Sequence, residues 1–196
     1  TPELLYRRSG KKIESEAIAS TRPRGQTLEE DERLASELRE SKKEQREHLM
    51  VLERMERLLQ QFCRKTERLS YLERLLLKHV QHLQSKVQGI LLENITDSDL
   101  LPAFHPTPAV SGTPDPEARA LIRKLEPFDR GWYAGPVGWI SSSQAEFAVG
   151  IRSGLLRGRT LRIYTGAGIV EGSVPEEEWR EIEDKLQSWQ HLLGRS

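Results

Sequence analysis

Between Ile151 and Lys185 the chain runs from apolar, strand-like segments through a glycine turn into a charged helix, and that order limits the folds it can join. Ile151-Arg152 and Leu161-Arg162-Ile163-Tyr164 read as strand, and Gly166-Ala167-Gly168 as a turn. Ser173-Val174-Pro175 leads into a helix over 176–185. Pro175 takes the first helical position, where its fixed φ suits the helix and its missing amide hydrogen is not needed. Glu178, Glu181 and Lys185 follow at i, i+3 and i+7, so all three project from one face. Two carboxylates and an ammonium beside a glycine turn can hold a divalent cation and an organic anion together. The same acidic first turn also suits an ordinary solvated helix, because the macrodipole stabilises carboxylates there.

The rest of the chain sets limits on that site. Thirty Lys and Arg balance thirty Asp and Glu over 196 residues, so no global surface for nucleic acid is expected. No apolar run is long enough to cross a bilayer and no signal peptide is read at the start, which excludes a membrane partner at this stage. The single cysteine, Cys63, excludes an intrachain disulfide and fits a reducing compartment, the cytoplasm; within Gln61-Phe62-Cys63 it reads as a buried structural thiol in a helix. The glycine turn is not a dinucleotide fingerprint, because Gly166-x-Gly168 leads to Gly172 at the wrong spacing and not into a helix.

Strands are expected at residues 3–8 and 13–19, the second ended by the cationic loop Thr21-Arg22-Pro23-Arg24-Gly25, which could hold carboxylates. Thr27 with Glu30, and Ser41 with Glu44, read as capping boxes for helices over 28–39 and 42–65. In the second helix Leu49, Leu52, Met55, Leu59 and Phe62 form an apolar stripe, with Arg46, Glu53, Arg54 and Arg57 on the solvent side. Glu44 and Glu47 lie at i, i+3 near its start. The stretch 67–83 is dense in leucine and charge, heptad-like in places, and could be helix or strand. Its His79 and His82 would share a helix face but oppose each other on a strand, and no third ligand at matching spacing supports zinc. Beyond Pro102 come a proline-rich segment at 105–112, a helix from Asp115 to about Leu125, and a small-and-aromatic run at 130–139. That run suits a strand closely approached by another backbone. A hairpin of 147–153 with 160–165 turns around Arg157-Gly158-Arg159. The fold class is therefore α+β with mostly antiparallel sheets flanked by helices.

Several of these segments resemble, in order, the isochorismate synthases of the chorismate-utilising enzyme family. They are Thr1-Pro2-Glu3-Leu4-Leu5, Thr21 to Gly25, Ser41 to His48, His105 to Gly112, Glu126 to Trp139 and Gly166 to Glu181. The likeness covers nearly the whole chain and is weakest between Arg64 and His79. It implies a partial ADC (aminodeoxychorismate) synthase-like fold of two packed sheets. Residues 1–196 would be the C-terminal part of a single chorismate-binding domain whose N-terminal half is absent.

The resemblance also implies roles. The substrate is chorismate and the cofactor Mg2+. Glu3 is the general acid for the departing C4 hydroxyl. Glu47 and Glu181 are the Mg2+ ligands, with Glu44 and Glu178 one turn away in support. Arg152 and Lys185 contact the substrate carboxylates, and Ser20, Thr21, His82, Tyr133 and the backbone of Gly166 line the same pocket. Where the family has Ala-Gly-Thr or Ala-Gly-Ser, this chain has Ala19-Ser20-Thr21. Ala109 resembles the isochorismate synthases, whereas members that eliminate pyruvate carry threonine near that position. The family's general base is a lysine ahead of the Pro-Glu motif; Lys11 and Lys12 follow Glu3 and cannot replace it by order. The chain alone is thus expected to be inactive until an N-terminal half is supplied in cis or in trans. The product could serve menaquinone, siderophore or salicylate formation. Two alternatives stand beside this reading: a lyase relative making salicylate, anthranilate or aminodeoxychorismate, and an inactive remnant that associates through helices at 28–65 and 67–83.

Overall fold

The computed structural model describes residues 3–78 and 80–194, without the side chains at 19–21, 43, 187, 188 and 191. Among the described residues eight strands and six helices follow one another, first β1 Leu4–Ser9, β2 Lys12–Pro23, α1 Leu28–Glu40, α2 Lys42–Phe62, β3 Cys63–Leu76, β4 Val80–Leu91, α3 Asp97–Phe104 and α4 Pro108–Ser111. They continue with α5 Asp115–Leu125, β5 Pro136–Ile140, β6 Gln144–Val149, β7 Ser153–Arg157, β8 Thr160–Tyr164 and α6 Pro175–Leu192. Six strands form one sheet in the order β3-β4-β2-β1-β6-β5, and β7 and β8 form a separate hairpin. Every pairing is antiparallel.

One face of the sheet carries the helices. Ile13, Ala17, Val87 and Leu91 alternate toward it and meet Leu52, Met55 and Leu59 of α2, all 8% exposed or less. Each fully buried leucine contributes about 1.5–3 kcal/mol of transfer free energy. The expected stripe on α2 is therefore the main seam of the core. On its other side Arg46, Glu53 and Arg57 are exposed, but Arg54 folds back and donates to the Pro106 carbonyl at 2.9 Å.

Both helix starts carry the expected hydroxyl cap, but neither closes the capping box, and the Ser41 amide donates to the Glu37 carbonyl. The Thr27 and Ser41 hydroxyls accept from the Glu30 and Glu44 amides. The Glu30 carboxylate, however, reaches the Gln26 amide (2.8 Å), one residue short of the reciprocal capping-box bond.

Several boundaries differ from the sequence expectation. Helix α2 stops at Phe62, so Cys63 opens β3; its buried thiol is pushed up to about 11 by burial. A Cβ on Gly89 of β4 would lie 2.5 Å from its sulfur, which accounts for the glycine there. The stretch 67–83 belongs to β3 and β4 and not to a helix, which removes it as a coiled-coil surface. His79 lies outside the described residues.

Residues 97–104, to which the sequence assigns no element, form a helix that runs through Pro102. Strand β2 continues through the cationic loop to Pro23. Ile151 and Arg152 are not strand; Arg152 turns the chain with φ 49°, separating β6 from the β7–β8 hairpin. Helix α6 starts at Pro175 as expected and runs past 185 to Leu192. In β5, a Cβ on Gly138 would sit 2.0 Å from the Glu146 carbonyl oxygen, the close backbone approach its sequence suggested.

Candidate active site

The start of β1 places Glu3 where water is scarce. Its carbonyl accepts from the Val149 amide at 2.8 Å, and a register shift between Leu4 and Tyr6 marks a bulge beside it. The side chain is 6% exposed, and among the described residues Oε1 has no hydrogen-bond partner. Burial, and then the nearby charge of Glu16, push this carboxyl up to about 7. An acid in that range is half-protonated at neutral pH and can deliver a proton to a leaving group.

A second cluster forms where α6 meets the glycine turn. The Lys185 ammonium donates to the Gly166 carbonyl at 2.8 Å and pairs with Glu181 one turn back at 2.5 Å. Arg152 is half-buried; burial lowers its guanidinium from the usual value, and the charge of Glu181 opposes that loss. The Tyr133 hydroxyl lies 3.0 Å from where a Gly166 Cβ would stand, so a side chain there would push that hydroxyl aside by a few tenths of an ångström. Its ring stacks on Tyr164 with centroids 5.7 Å apart. Four of the expected substrate contacts, Arg152, Lys185, Tyr133 and Gly166, are thus brought together with Glu181.

The third group lies at the other end of β2. Arg22 reaches Glu44 near the start of α2 at 3.4 Å, and Arg24 makes a forked pair with Asp31 of α1. The cationic loop therefore does hold carboxylates, and they are the chain's own. The side chains of Ser20 and Thr21 lie outside the described residues. Their backbone shows a register shift between Ala19 and Thr21, with Thr21 opposite the buried His82. Ser20, where the resemblance leads one to expect glycine, is the extra residue of that bulge. Ala109 is exposed on the short helix α4.

Of the four expected metal ligands, Glu178 is buried, Glu44, Glu47 and Glu181 are half-buried, and all offer hard carboxylate oxygen. That donor chemistry fits Mg2+. Among the described residues, no three His, Cys, Asp or Glu side chains gather in one group.

Glu16, whose charge acts on Glu3, and Gln84, which donates to Glu16, are not singled out by the sequence. Their link depends on the register of β1, β2 and β4, and only the alternation Glu14-x-Glu16 hints at it.

A protonatable acid inside a sheet, together with arginine and lysine placed among carboxylates, is the equipment of an enzyme that handles small organic anions. The chain belongs to the chorismate binding enzyme family, whose model matches residues 1–194. It is 41% identical over 194 residues to isochorismate synthase 2, chloroplastic, of Arabidopsis thaliana, covering 98% of this chain and 34% of that one. Identity to the isochorismate synthase MenF of Bacillus subtilis is 40% over 195 residues, covering 99% and 41%. Anthranilate synthase component 1 of Saccharolobus solfataricus is 43% identical over 199 residues, covering 99% and 47%.

Among solved structures, MenF, the menaquinone-specific isochorismate synthase from Escherichia coli, superposes with a TM-score of 0.88 at 38% identity, covering 98% of this chain and 45% of that one. Anthranilate synthase component I from Streptococcus pneumoniae superposes at 0.81 and 31% identity, covering 96% and 42%. The chain thus spans about a third to a half of the length of these relatives. No helix among the described residues is long and apolar enough to cross a membrane.

Proposed function

We propose that this chain is the C-terminal part of an isochorismate synthase. The observation that carries the reading is Glu3, a buried carboxyl raised to about 7, on a chain that matches the chorismate-binding family from residue 1 to 194. In the reaction a C2–O bond forms from water, the ring double bonds shift, and the C4–O bond breaks. Glu3 gives its proton to the departing C4 oxygen, which leaves as water. The proton lost by the attacking water goes to a base outside these residues, a lysine that the resemblance places ahead of Glu3.

Arg152 and Lys185 orient the substrate carboxylates, a task that suits the planar guanidinium fork. Tyr133 and the bare backbone at Gly166 shape the wall between them. Mg2+ would be held by Glu47 and Glu181, supported by Glu44 and Glu178. When bound, such an ion neutralises carboxylate charge on the ring.

Joined to its preceding portion and given Mg2+ and chorismate, the protein is expected to yield isochorismate as the single chromatographic product, without pyruvate. The 43% identity to an anthranilate synthase component, beside 41% and 40% to isochorismate synthases, supports keeping the lyase reading as the alternative. Pyruvate released together with salicylate or anthranilate would replace the present reading with that one. Lys185→Ala is expected to raise KM for chorismate about 10–100-fold, the value of one charged hydrogen bond. Product identity should not change.

A further inference from the structure

Arg130 carries none of the roles that the resemblance implies, yet it joins two parts of the candidate site. It lies half-buried in the loop between α5 and β5. Its guanidinium is engaged on three sides. Nε and Nη2 make a forked pair with the Glu126 carboxylate at 2.8 and 2.6 Å. Nη1 donates to the Val110 carbonyl of α4 at 2.7 Å. The guanidinium carbon stands 5.9 Å from the centroid of the Tyr133 ring, within reach of a cation–π attraction.

A second bond runs the other way between the same segments. His105 Nε2 donates to the Ala134 carbonyl at 2.7 Å. Ala134 is buried with φ 63°, a left-handed conformation uncommon for a residue with a Cβ. Residues 105–112 and 130–134 are therefore clasped by one side-chain donor from each. The first segment carries Ala109. The second carries Tyr133, whose ring stacks on Tyr164 and whose hydroxyl reaches Gly166, the residue whose carbonyl accepts from Lys185.

Arginine is the side chain this place calls for. One edge of its planar group meets the carboxylate while Nη1 meets the carbonyl, whereas a lysine ammonium is a single point of charge. Glu126 sets the angle of the fork, since its own amide closes α5 on the Ile122 carbonyl at 2.9 Å.

We propose that Arg130 is the positioning residue that holds the Ala109 segment against the Tyr133 wall, so that the pocket keeps one shape for chorismate. This rests on the proposed reading of the site, in which Tyr133, Gly166 and Lys185 meet the substrate. Arg130 acts through Val110 and Tyr133 and touches no reacting atom.

The first test is hydrogen exchange in the 196-residue chain. The Ser111 and Gly112 amides donate to the Thr107 and Pro108 carbonyls at 3.0 and 2.8 Å, and their protection reports whether the segment is held. Arg130→Met keeps an unbranched stem and removes the donors. It should speed exchange at both amides about 10–100-fold, the value of one charged hydrogen bond. The amides of Leu52, Met55 and Leu59 on α2 should keep their protection. Arg130→Lys should behave as Arg130→Met does, because an ammonium cannot bridge the carboxylate and the carbonyl. It also supplies the reading if Arg130→Met fails to fold. Unchanged exchange at Ser111 and Gly112 in either folded variant overturns the proposal.

In the complete enzyme Arg130→Lys should raise KM for chorismate about tenfold, while kcat and its pH profile hold because the acid is untouched. A loss confined to kcat would also overturn the positioning role. If the complete protein makes no isochorismate, the reaction is lost but the clasp stays measurable in the chain, so the two readings fail separately.

Discussion

Glutamine at position 3 is expected to make the folded chain more stable at pH 8.5 while removing most of the turnover of the complete enzyme. The two effects share one cause. Glu3 has a folded-state value of about 7 against an ordinary 4.5, raised first by burial and then by Glu16. A folded value above the unfolded one stabilises the native state fully below about pH 4.5, and that contribution is lost as pH rises through 7. Above pH 8 the buried charge therefore costs about 3 kcal/mol. An amide of the same shape carries no charge at any pH, so Glu3→Gln should match the wild type near pH 4 and exceed it at pH 8.5. The gain in Tm should be about 6–12 °C, as expected for a chain of this length. Calorimetry at the two pH values measures it.

Over the same change, loss of the proton donor should lower kcat about 10²–10⁴-fold. A buried acid of this kind is a place where function is kept at the expense of stability. If Glu3→Gln is no more stable at pH 8.5 than at pH 4 relative to the wild type, the carboxyl is not carrying the strain assigned to it.

What could be read from the sequence follows from which elements carry a period. Helix α2 shows its core face through Leu52, Met55 and Leu59, and α6 shows its start through Pro175, because one side of each helix meets apolar atoms and the other meets water. Strands β3 and β4 carry no such signal, for opposite reasons. The first is an edge strand that leaves Leu69, Tyr71 and Leu76 exposed; the second is enclosed on both faces and puts Gln81, His82, Gln84 and Ser85 inside. Between 67 and 83 neither strand alternates in hydrophobicity, although β4 does so further on at Val87 and Leu91, so this stretch could pass for a helix.

Helix α3 was hidden by Pro102. Its start is marked by Thr96 and Asp99, whose carboxylate takes the Thr96 amide at 2.9 Å. The same division runs through the site. Glu44 with Glu47, and Glu178 with Glu181, are local helical pairs and visible as spacing. The neighbours of Glu3 come from strands joined only by register, and spacing along the chain says nothing about them.

Asp97 marks the place where the largest loss of stability is expected. It opens α3, where the positive end of the helix favours a carboxylate. Its oxygens accept from Arg8 Nη2 at 2.7 Å, from Arg8 Nε at 3.0 Å and from the Tyr6 hydroxyl at 3.1 Å. Both members of the ion pair have only a tenth of their side-chain surface exposed. Tyr6 is fully buried between Phe104 and Phe147, with ring centroids 5.5 and 5.4 Å away. One carboxylate thus ties the central strand β1 to α3 and satisfies two buried donors.

Asp97→Ala would leave the guanidinium buried with only the carbonyls of Gly10 and Ser141, at 3.2 and 3.4 Å, and the tyrosine hydroxyl unbonded. Removing one side of a buried pair costs about 3–5 kcal/mol, because the other charge stays desolvated. In a domain stable by about 5–15 kcal/mol that is a large share, and Tm should fall by about 10 °C. Asp97→Asn keeps the shape and an acceptor, so its loss should be smaller.

The decisive comparison is Arg8→Met with Asp97→Leu. Either change alone strands a charge, whereas together they remove both, and urea unfolding should show the double variant recovering most of the stability lost by each single one. Additive losses would mean that the ion pair is not the coupled unit its geometry describes.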